Sequence, residues 1–151
     1  MKPLFVLLAA FALSTLVLYL GKGKLDFAFA GRIALSTMLV FTAIGHFVYS
    51  NGMQAMVPSF IPLKYEIVFV TGVLEILFAL AILFPKYQNF TAWVLMVFFI
   101  LILPANINAA IKNLNYQTGK FDGPGLVYLW FRVPFQIVLI LWVYFSILRG
   151  K

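Results

Sequence analysis

Glu75 is the residue that says most about chemistry in this sequence, because it is a carboxylate within a long apolar run. The run extends from residue 65 to residue 84, and Glu75 lies ten residues into it. At about 1.5 Å per helical residue the side chain is roughly 15 Å deep, near the midplane of a bilayer. An ionisable group at that depth is costly unless it points into a bundle and meets a polar partner. We therefore expect Glu75 to be buried among helices beside such a partner.

Candidate partners lie near the ends of the other apolar runs. His46 and Asn106 each come close to the end of a run, and Arg132 follows the start of the last one. Because successive membrane helices run in opposite directions, these side chains fall in the same half of the membrane. Arg132 and Gln136 are four residues apart and share one helix face. We predict a single polar site that brings together Glu75, His46, Asn106, Trp130, Arg132 and Gln136.

These residue types suit the binding of a polar headgroup inside the membrane. Glu75 and His46 are the candidate catalytic groups, because both can exchange protons. Arg132, Asn106 and Gln136 can orient the polar atoms of a ligand. The site would suit a quinone, another isoprenoid or sterol-like molecule, or a lipid. In the alternative interpretation Glu75 and Arg132 form an ion pair that only locks the bundle.

Several kinds of chemistry are excluded or disfavoured by the residues available. The chain has no cysteine and one histidine. Thiolate catalysis, disulfides and iron–sulfur ligation are therefore excluded, and we predict no metal site. We also find no nucleophile paired with a base, no phosphate-binding glycine loop and no dinucleotide fingerprint.

Composition places the chain in a membrane. Its 151 residues are 64% hydrophobic and 10% charged, whereas soluble domains are about half apolar and about a quarter charged. The net charge of +7 comes from lysines and arginines scattered between the apolar runs. Such cationic loops are typical of membrane proteins, and nucleic-acid binding is not expected. Membrane lipid is the expected surrounding.

Five apolar stretches are long enough to cross a bilayer, which requires about 20 residues per helix. We predict an all-α polytopic bundle in a single transmembrane domain, residues 1–151. The segment 52–63 contains Pro58 and Pro62 and is predicted to be an interfacial or re-entrant loop. The first stretch could also be a secretory signal peptide, but no clear cleavage site follows it and a retained helix is favoured. The five predicted helices cover about 4–20, 28–49, 65–84, 90–111 and 126–148.

The distribution of lysine and arginine predicts the orientation of these spans. One side would carry four such residues, namely Lys2, Lys64, Lys112 and Lys120. The other side would carry six, namely Lys22, Lys24, Arg32, Lys86, Arg149 and Lys151. The larger number places the carboxyl terminus in the cytoplasm.

An ordered set of short motifs resembles the DoxX family of small bacterial membrane proteins. The set recurs in the family's order from about residue 31 to residue 144. It adds Pro58 to the candidate ligand-binding residues. The matching pieces are Arg32, Gly45-His46-Phe47, Met56-Val57-Pro58 with Pro62, Gly72 with Glu75, Pro104-Ala105-Asn106, and Trp130 with Arg132, Pro134 and Gln136.

The resemblance implies a four-helix core, corresponding to the second to fifth predicted helices, with an added N-terminal helix. It also implies a multi-pass protein of the bacterial inner membrane. The family includes the small subunit of an archaeal thiosulfate:quinone oxidoreductase and subunits of membrane redox or detoxification complexes. The chain is then expected to be a redox-associated subunit that binds a quinone or other isoprenoid lipid, with other redox subunits as partners. Two alternatives are a non-enzymatic assembly or scaffold subunit and a small transporter.

Overall fold

The computed structural model describes residues 2–150, and within this range the chain forms helices and turns but no β-strand. An isolated antiparallel bridge joins Asn115 to Lys120 in a loop. The predicted all-α class is therefore confirmed for the described chain.

The helices follow the predicted apolar stretches closely. Where a loop was expected at 52–63, the structure has a short helix followed by a turn that contains Pro58 and Pro62. The last stretch begins with a 3₁₀ turn, Gly125–Tyr128, and ends with a π-helical turn, Tyr144–Leu148. The α-helices are α1 (Lys2–Lys22), α2 (Phe27–Val48), α3 (Ser50–Met56), α4 (Lys64–Ala81), α5 (Gln88–Leu101), α6 (Leu103–Ile111) and α7 (Leu129–Val143).

The predicted helix 90–111 is divided at Ile102 into α5 and α6. Pro104 lies in the first turn of α6. Proline has no N–H to donate to the carbonyl four residues before it, and its ring crowds that carbonyl, so a helix bends or breaks just ahead of it. The interruption lies inside the candidate span Gln88–Ile111.

Four of the five predicted segments form helical stretches long and apolar enough to cross a membrane. These stretches are Lys2–Gly21, Phe27–Val48, Gln88–Ile111 and Gly125–Leu148. Helix α4 is not among them, because its 18 residues include Lys64, Glu66 and Glu75. Large apolar side chains are exposed over the outer faces of the helices, including Leu20, Phe90 and Leu101. A soluble protein rarely exposes so much contiguous apolar surface, so these faces suit contact with lipid.

Helix α2 lies at the centre of the bundle and packs against α1, α4 and the C-terminal π turn. Helix α5 packs against α7 on the other flank. The shared core is apolar and includes Leu35, Leu39, Leu95, Phe99 and Leu139.

Three segments meet at one end of the bundle, which we call the loop end: the start of α1, helix α3, and the loop 112–124. Lys2 Nζ donates to Gln117 Oε1 at 3.4 Å. Asn108 Nδ2 donates to the Met56 carbonyl at 2.7 Å. Gly52 is buried directly against the backbone carbonyl of Tyr116. The loop is therefore folded onto the helix ends.

The opposite end, which we call the C-terminal end, is joined by hydrogen bonds between α2 and the last helical turns. Arg32 Nη1 donates to the Ser146 carbonyl, and Trp142 Nε1 donates to the Gly31 carbonyl, both at 3.0 Å. Because Gly31 lacks a side chain, the Ser146 Cβ can approach to within 2.8 Å of the point where a Cβ would lie.

The substitution Gly52→Ala tests the packing of the loop end. The added methyl group would overlap the Tyr116 carbonyl, which belongs to the backbone and cannot rotate away. We expect a loss of about 1–3 kcal/mol in the free energy of unfolding, measured as a lower melting temperature in detergent. Gly21→Ala is the matched control, since nothing lies within 4 Å of the added atom. Equal melting temperatures for the two variants would contradict the packing described.

Candidate functional site

Glu75 meets His46 across the contact between α2 and α4, and we call these two residues the acid–imidazole pair. Glu75 is 4% exposed, and its Oε1 lies 3.6 Å from His46 Nε2. Gly72 makes the contact possible, because a Cβ there would be 2.8 Å from the His46 Cβ. The expectation that Glu75 points into the bundle and has a polar partner is met.

Hydrogen bonds to the other ring nitrogen fix the orientation of His46. Nδ1 lies 3.0 Å from the Val68 carbonyl and 3.2 Å from Thr71 Oγ1. Since a carbonyl only accepts, Nδ1 carries the proton in the Val68 bond. In a neutral imidazole Nε2 is then an acceptor that faces a carboxylate oxygen. Nε2 and the Glu75 carboxylate thus face each other at ion-pair distance.

The second carboxylate oxygen of Glu75 is less well satisfied. Oε2 is buried and accepts no hydrogen bond from the described residues. Buried polar atoms in proteins are nearly always paired, and an unpaired one usually has a reason connected with strain or function. Oε2 is therefore an acceptor inside the bundle that the protein leaves unused.

Arg132 and Asn106 form a second contact, between α7 and α6, which we call the arginine–asparagine pair. Arg132 Nε donates to Asn106 Oδ1 at 2.9 Å. Asn106 is 3% exposed, and its Nδ2 donates to the Ile102 carbonyl at 3.0 Å. The Ile102 carbonyl lies at the break ahead of Pro104, so the break and the pair are linked. Both the oxygen and the nitrogen of the Asn106 amide are hydrogen-bonded, and the Arg132 guanidinium is held through its Nε.

Gln136 is separate from both pairs. It is buried one turn after Arg132, and its Nε2 donates to the Phe99 carbonyl. This bond joins α7 to the end of α5. Gln136 therefore acts on the packing of the helices in this structure.

A cavity of about 210 Å³ opens beside the arginine–asparagine pair at the loop end. Two cationic side chains, Lys2 and Arg132, line it together with amides and two tyrosines. Among residues 2–150, no carboxylate belongs to the lining. The residues around it are Lys2, Met56, Asn106, Ala109, Ala110, Leu114, Asn115, Tyr116, Gln117, Pro124, Gly125, Tyr128 and Arg132.

The predicted site residues are therefore only partly gathered. Asn106 and Arg132 line the cavity, whereas Glu75, His46 and Gln136 lie outside its lining. Among residues 2–150 the acid–imidazole pair is the ion pair that the structure contains. The Glu75–Arg132 ion pair of the alternative interpretation is accordingly not formed between described residues.

Trp130 and Pro58 lie outside the cavity as well. Trp130 is 84% exposed, because it lies in the first turn of α7 on the face opposite the buried residues. Pro58 lies in the turn after α3, and its carbonyl accepts a bond from the Ile61 N–H at 3.1 Å. Met56, two residues before Pro58, does line the cavity.

The tyrosines and the lysine of the cavity were missed by reasoning from the sequence. Burial raises the pKa of the Tyr116 phenol above its ordinary value of 10.0, and the neighbouring Tyr128 adds to the effect. The phenol therefore stays protonated near neutral pH and can donate a hydrogen bond. A signal was available, because the loop 112–124 follows Asn106 and precedes Arg132 on the same side of the membrane.

Comparison with known proteins identifies a family for this fold. Residues 35–146 match the family described as Domain of unknown function (DUF8561). The chain belongs to this family. The matched region contains both residue pairs and most of the cavity lining, but it begins after α1. Neither the curated proteins nor the solved structures gave a match.

Asn106→Ala tests the arginine–asparagine pair. The substitution leaves Arg132 Nε without its acceptor inside the bundle and removes the bond to Ile102. We expect a cost of about 1–3 kcal/mol in unfolding free energy, measured by thermal unfolding in detergent. Asn89→Ala is the control, because Asn89 is exposed in the first turn of α5. If the two variants have the same melting temperature, the pair does not stabilise the packing of α6 against α7.

Proposed function

We propose that this chain is a membrane-embedded binding subunit of DoxX type, which holds the headgroup of a quinone or another isoprenoid or lipid molecule. The observation that carries the proposal is the cavity at the loop end, lined by Arg132, Asn106 and Tyr116. A guanidinium, an amide and a phenol can donate hydrogen bonds to carbonyl or phosphate oxygens.

The size of the cavity favours a headgroup over a whole molecule. Cavities for complete small molecules measure about 300–1,000 Å³, whereas this one is about 210 Å³. An apolar tail would then lie outside the cavity along the bundle. Leu126 and Val127, next to the lining residues Gly125 and Tyr128, are both exposed and apolar and provide a path for it.

The proposal includes five spans, with α4 as the third. Helix α4 packs along α2. The charged residue within its apolar part, Glu75, is buried against His46. Burial removes that carboxylate from lipid, so its presence does not prevent α4 from crossing. Lys64 and Glu66 lie in the first turn, where a helix would emerge at the loop end.

With five spans, the loop end lies on one side of the membrane and the C-terminal end on the other. We place the protein in the bacterial inner membrane with the C-terminal end in the cytoplasm, because that end carries more lysine and arginine. The cavity would then open toward the outer half of the bilayer.

A redox-associated role rests on the DoxX resemblance and on the acid–imidazole pair. Quinone reduction and oxidation are coupled to proton transfer, and a carboxyl group that faces an imidazole suits that chemistry. In this proposal Glu75 and His46 handle protons, and Arg132 and Asn106 orient the headgroup. The redox centre itself would belong to a partner subunit.

Native mass spectrometry of the gently solubilised protein tests this proposal. The wild-type protein should retain a quinone or another lipid at about one molecule per chain. Arg132→Gln should lower that occupancy about tenfold, because a hydrogen bond to a charged donor is among the stronger ones. Arg149→Gln is the control, since Arg149 is exposed at the C-terminal end. Unchanged occupancy in a folded Arg132→Gln protein would refute the proposal.

A second function, as an assembly subunit without a ligand, has its own support. His46, Asn106 and Gln136 each form hydrogen bonds within the bundle. Helix α1 packs on α2 but exposes large apolar side chains such as Phe5, Leu13 and Leu20, which a partner subunit could cover. In this interpretation the polar side chains stabilise the bundle and bind nothing.

Glu75→Ala tests the assembly function. If the pair is purely structural, the substitution leaves His46 Nε2 without its partner and costs about 1–3 kcal/mol, while a partner protein still co-purifies. Glu66→Ala, on the exposed first turn of α4, is the control for the loss of an acid. A protein without partners that carries stoichiometric lipid would speak against the assembly function.

A further inference from the structure

The charges around the cavity do not balance, and the imbalance bears on what binds there. Lys2 and Arg132 line the same cavity, and neither forms an ion pair with a described residue. The chain has four acids, and none of them contributes to the lining. Asp26 caps the N-terminus of α2, which lies at the C-terminal end of the bundle, and Glu75 pairs with His46. Glu66 and Asp122 are exposed outside the cavity.

The donors of the cavity are also held in place with their hydrogens available. Arg132 is fixed through Nε by Asn106, so its two terminal nitrogens remain to donate. Asn115 Oδ1 accepts from the Gln117 N–H at 3.1 Å, which leaves the Asn115 Nδ2 group as a donor. Lys2 Nζ keeps further hydrogens beyond its bond to Gln117. Tyr116 adds a neutral phenol.

We infer that the cavity binds an anionic headgroup, with phosphate on a lipid or isoprenoid chain as its chemical class. The inference rests on the proposed function and deepens it by naming the charge of the ligand. Two neighbouring cations repel each other, and an anion placed between them removes that repulsion. A guanidinium matches a phosphate with two parallel hydrogen bonds, which a neutral quinone carbonyl cannot accept in the same way.

The location supports a lipid-borne phosphate. The cavity lies at the loop end, where the helices terminate and lipid phosphates are found at a bilayer surface. Val127, which is 76% exposed, and Leu126 follow the lining residue Gly125 and are directed away from the core. A phosphate in the cavity can therefore keep its hydrocarbon chain in the apolar layer.

The experiment uses the full chain in an uncharged detergent and measures ligand binding by native mass spectrometry titration. The probes are farnesyl phosphate, its uncharged counterpart farnesol, dioleoyl phosphatidic acid and decylubiquinone. We expect farnesyl phosphate or phosphatidic acid to bind about tenfold more tightly than farnesol, as charge-assisted hydrogen bonds predict. Comparison of the two phosphates shows whether the source is an isoprenoid or a phospholipid.

Matched variants locate the binding. Arg132→Gln and Lys2→Gln should each weaken phosphate binding about tenfold. Lys24→Gln makes the same charge change at the other end of α1 and should have no effect. Because Arg132→Gln also breaks the bond to Asn106, Lys2→Gln provides a variant that alters only an exposed hydrogen bond.

The outcomes separate this inference from the proposed function. If decylubiquinone binds in an Arg132-dependent manner and the phosphates bind no better than farnesol, the cavity function stands and the anionic ligand is refuted. If no probe binds, both are refuted. A phosphate preference that survives both Arg132→Gln and Lys2→Gln would place the anion elsewhere and also overturn the inference.

Discussion

The structure depends on how one carboxylate is accommodated in an apolar bundle. Glu75 is buried on α4 and is met by the single histidine of the chain on α2. The contact requires the two helices to approach closely, which Gly72 permits by leaving room for the His46 Cβ. Val68 and Thr71, on the same helix as Glu75, hold the far side of the imidazole. Helix α4 thus supplies the acid, the space and the bonds that orient the acid's partner.

The second constraint is the break between α5 and α6. In an unbroken helix the Ile100 carbonyl would have no backbone donor, because Pro104 has no N–H. Just past the break, the Ile102 carbonyl accepts from both the backbone N–H and the side-chain Nδ2 of Asn106, and Asn106 in turn holds Arg132. The same short helix ends beneath the loop 112–124, so the arginine is fixed where that loop closes over the helix ends. The cavity is therefore a product of the break and of the compact loop together.

Much of this could be predicted from the sequence, because depth and helical spacing depend only on residue position. The length of each apolar stretch gave the helices to within a few residues, and the depth of Glu75 gave its burial. Lateral neighbours could not be found in this way. Arg132 and His46 lie toward the same end of the bundle, yet they contact different helices. The alternating direction of successive helices does not specify which of them are adjacent. The direction of Trp130 and the folding of the loop around Tyr116 depend on tertiary packing, which periodicity does not encode.

The position of Lys2 also bears on the proposed orientation in the membrane. Lys2 was counted among the four cations that would favour placing the loop end in the cytoplasm. Within the structure it lines the cavity and bonds to Gln117, so the proposed role in ligand binding would explain its charge without reference to topology. Without Lys2 the loop end keeps Lys64, Lys112 and Lys120, against six cations at the other side. In the proposed orientation, with the C-terminal end in the cytoplasm, the charge asymmetry is kept and the cavity would face outward.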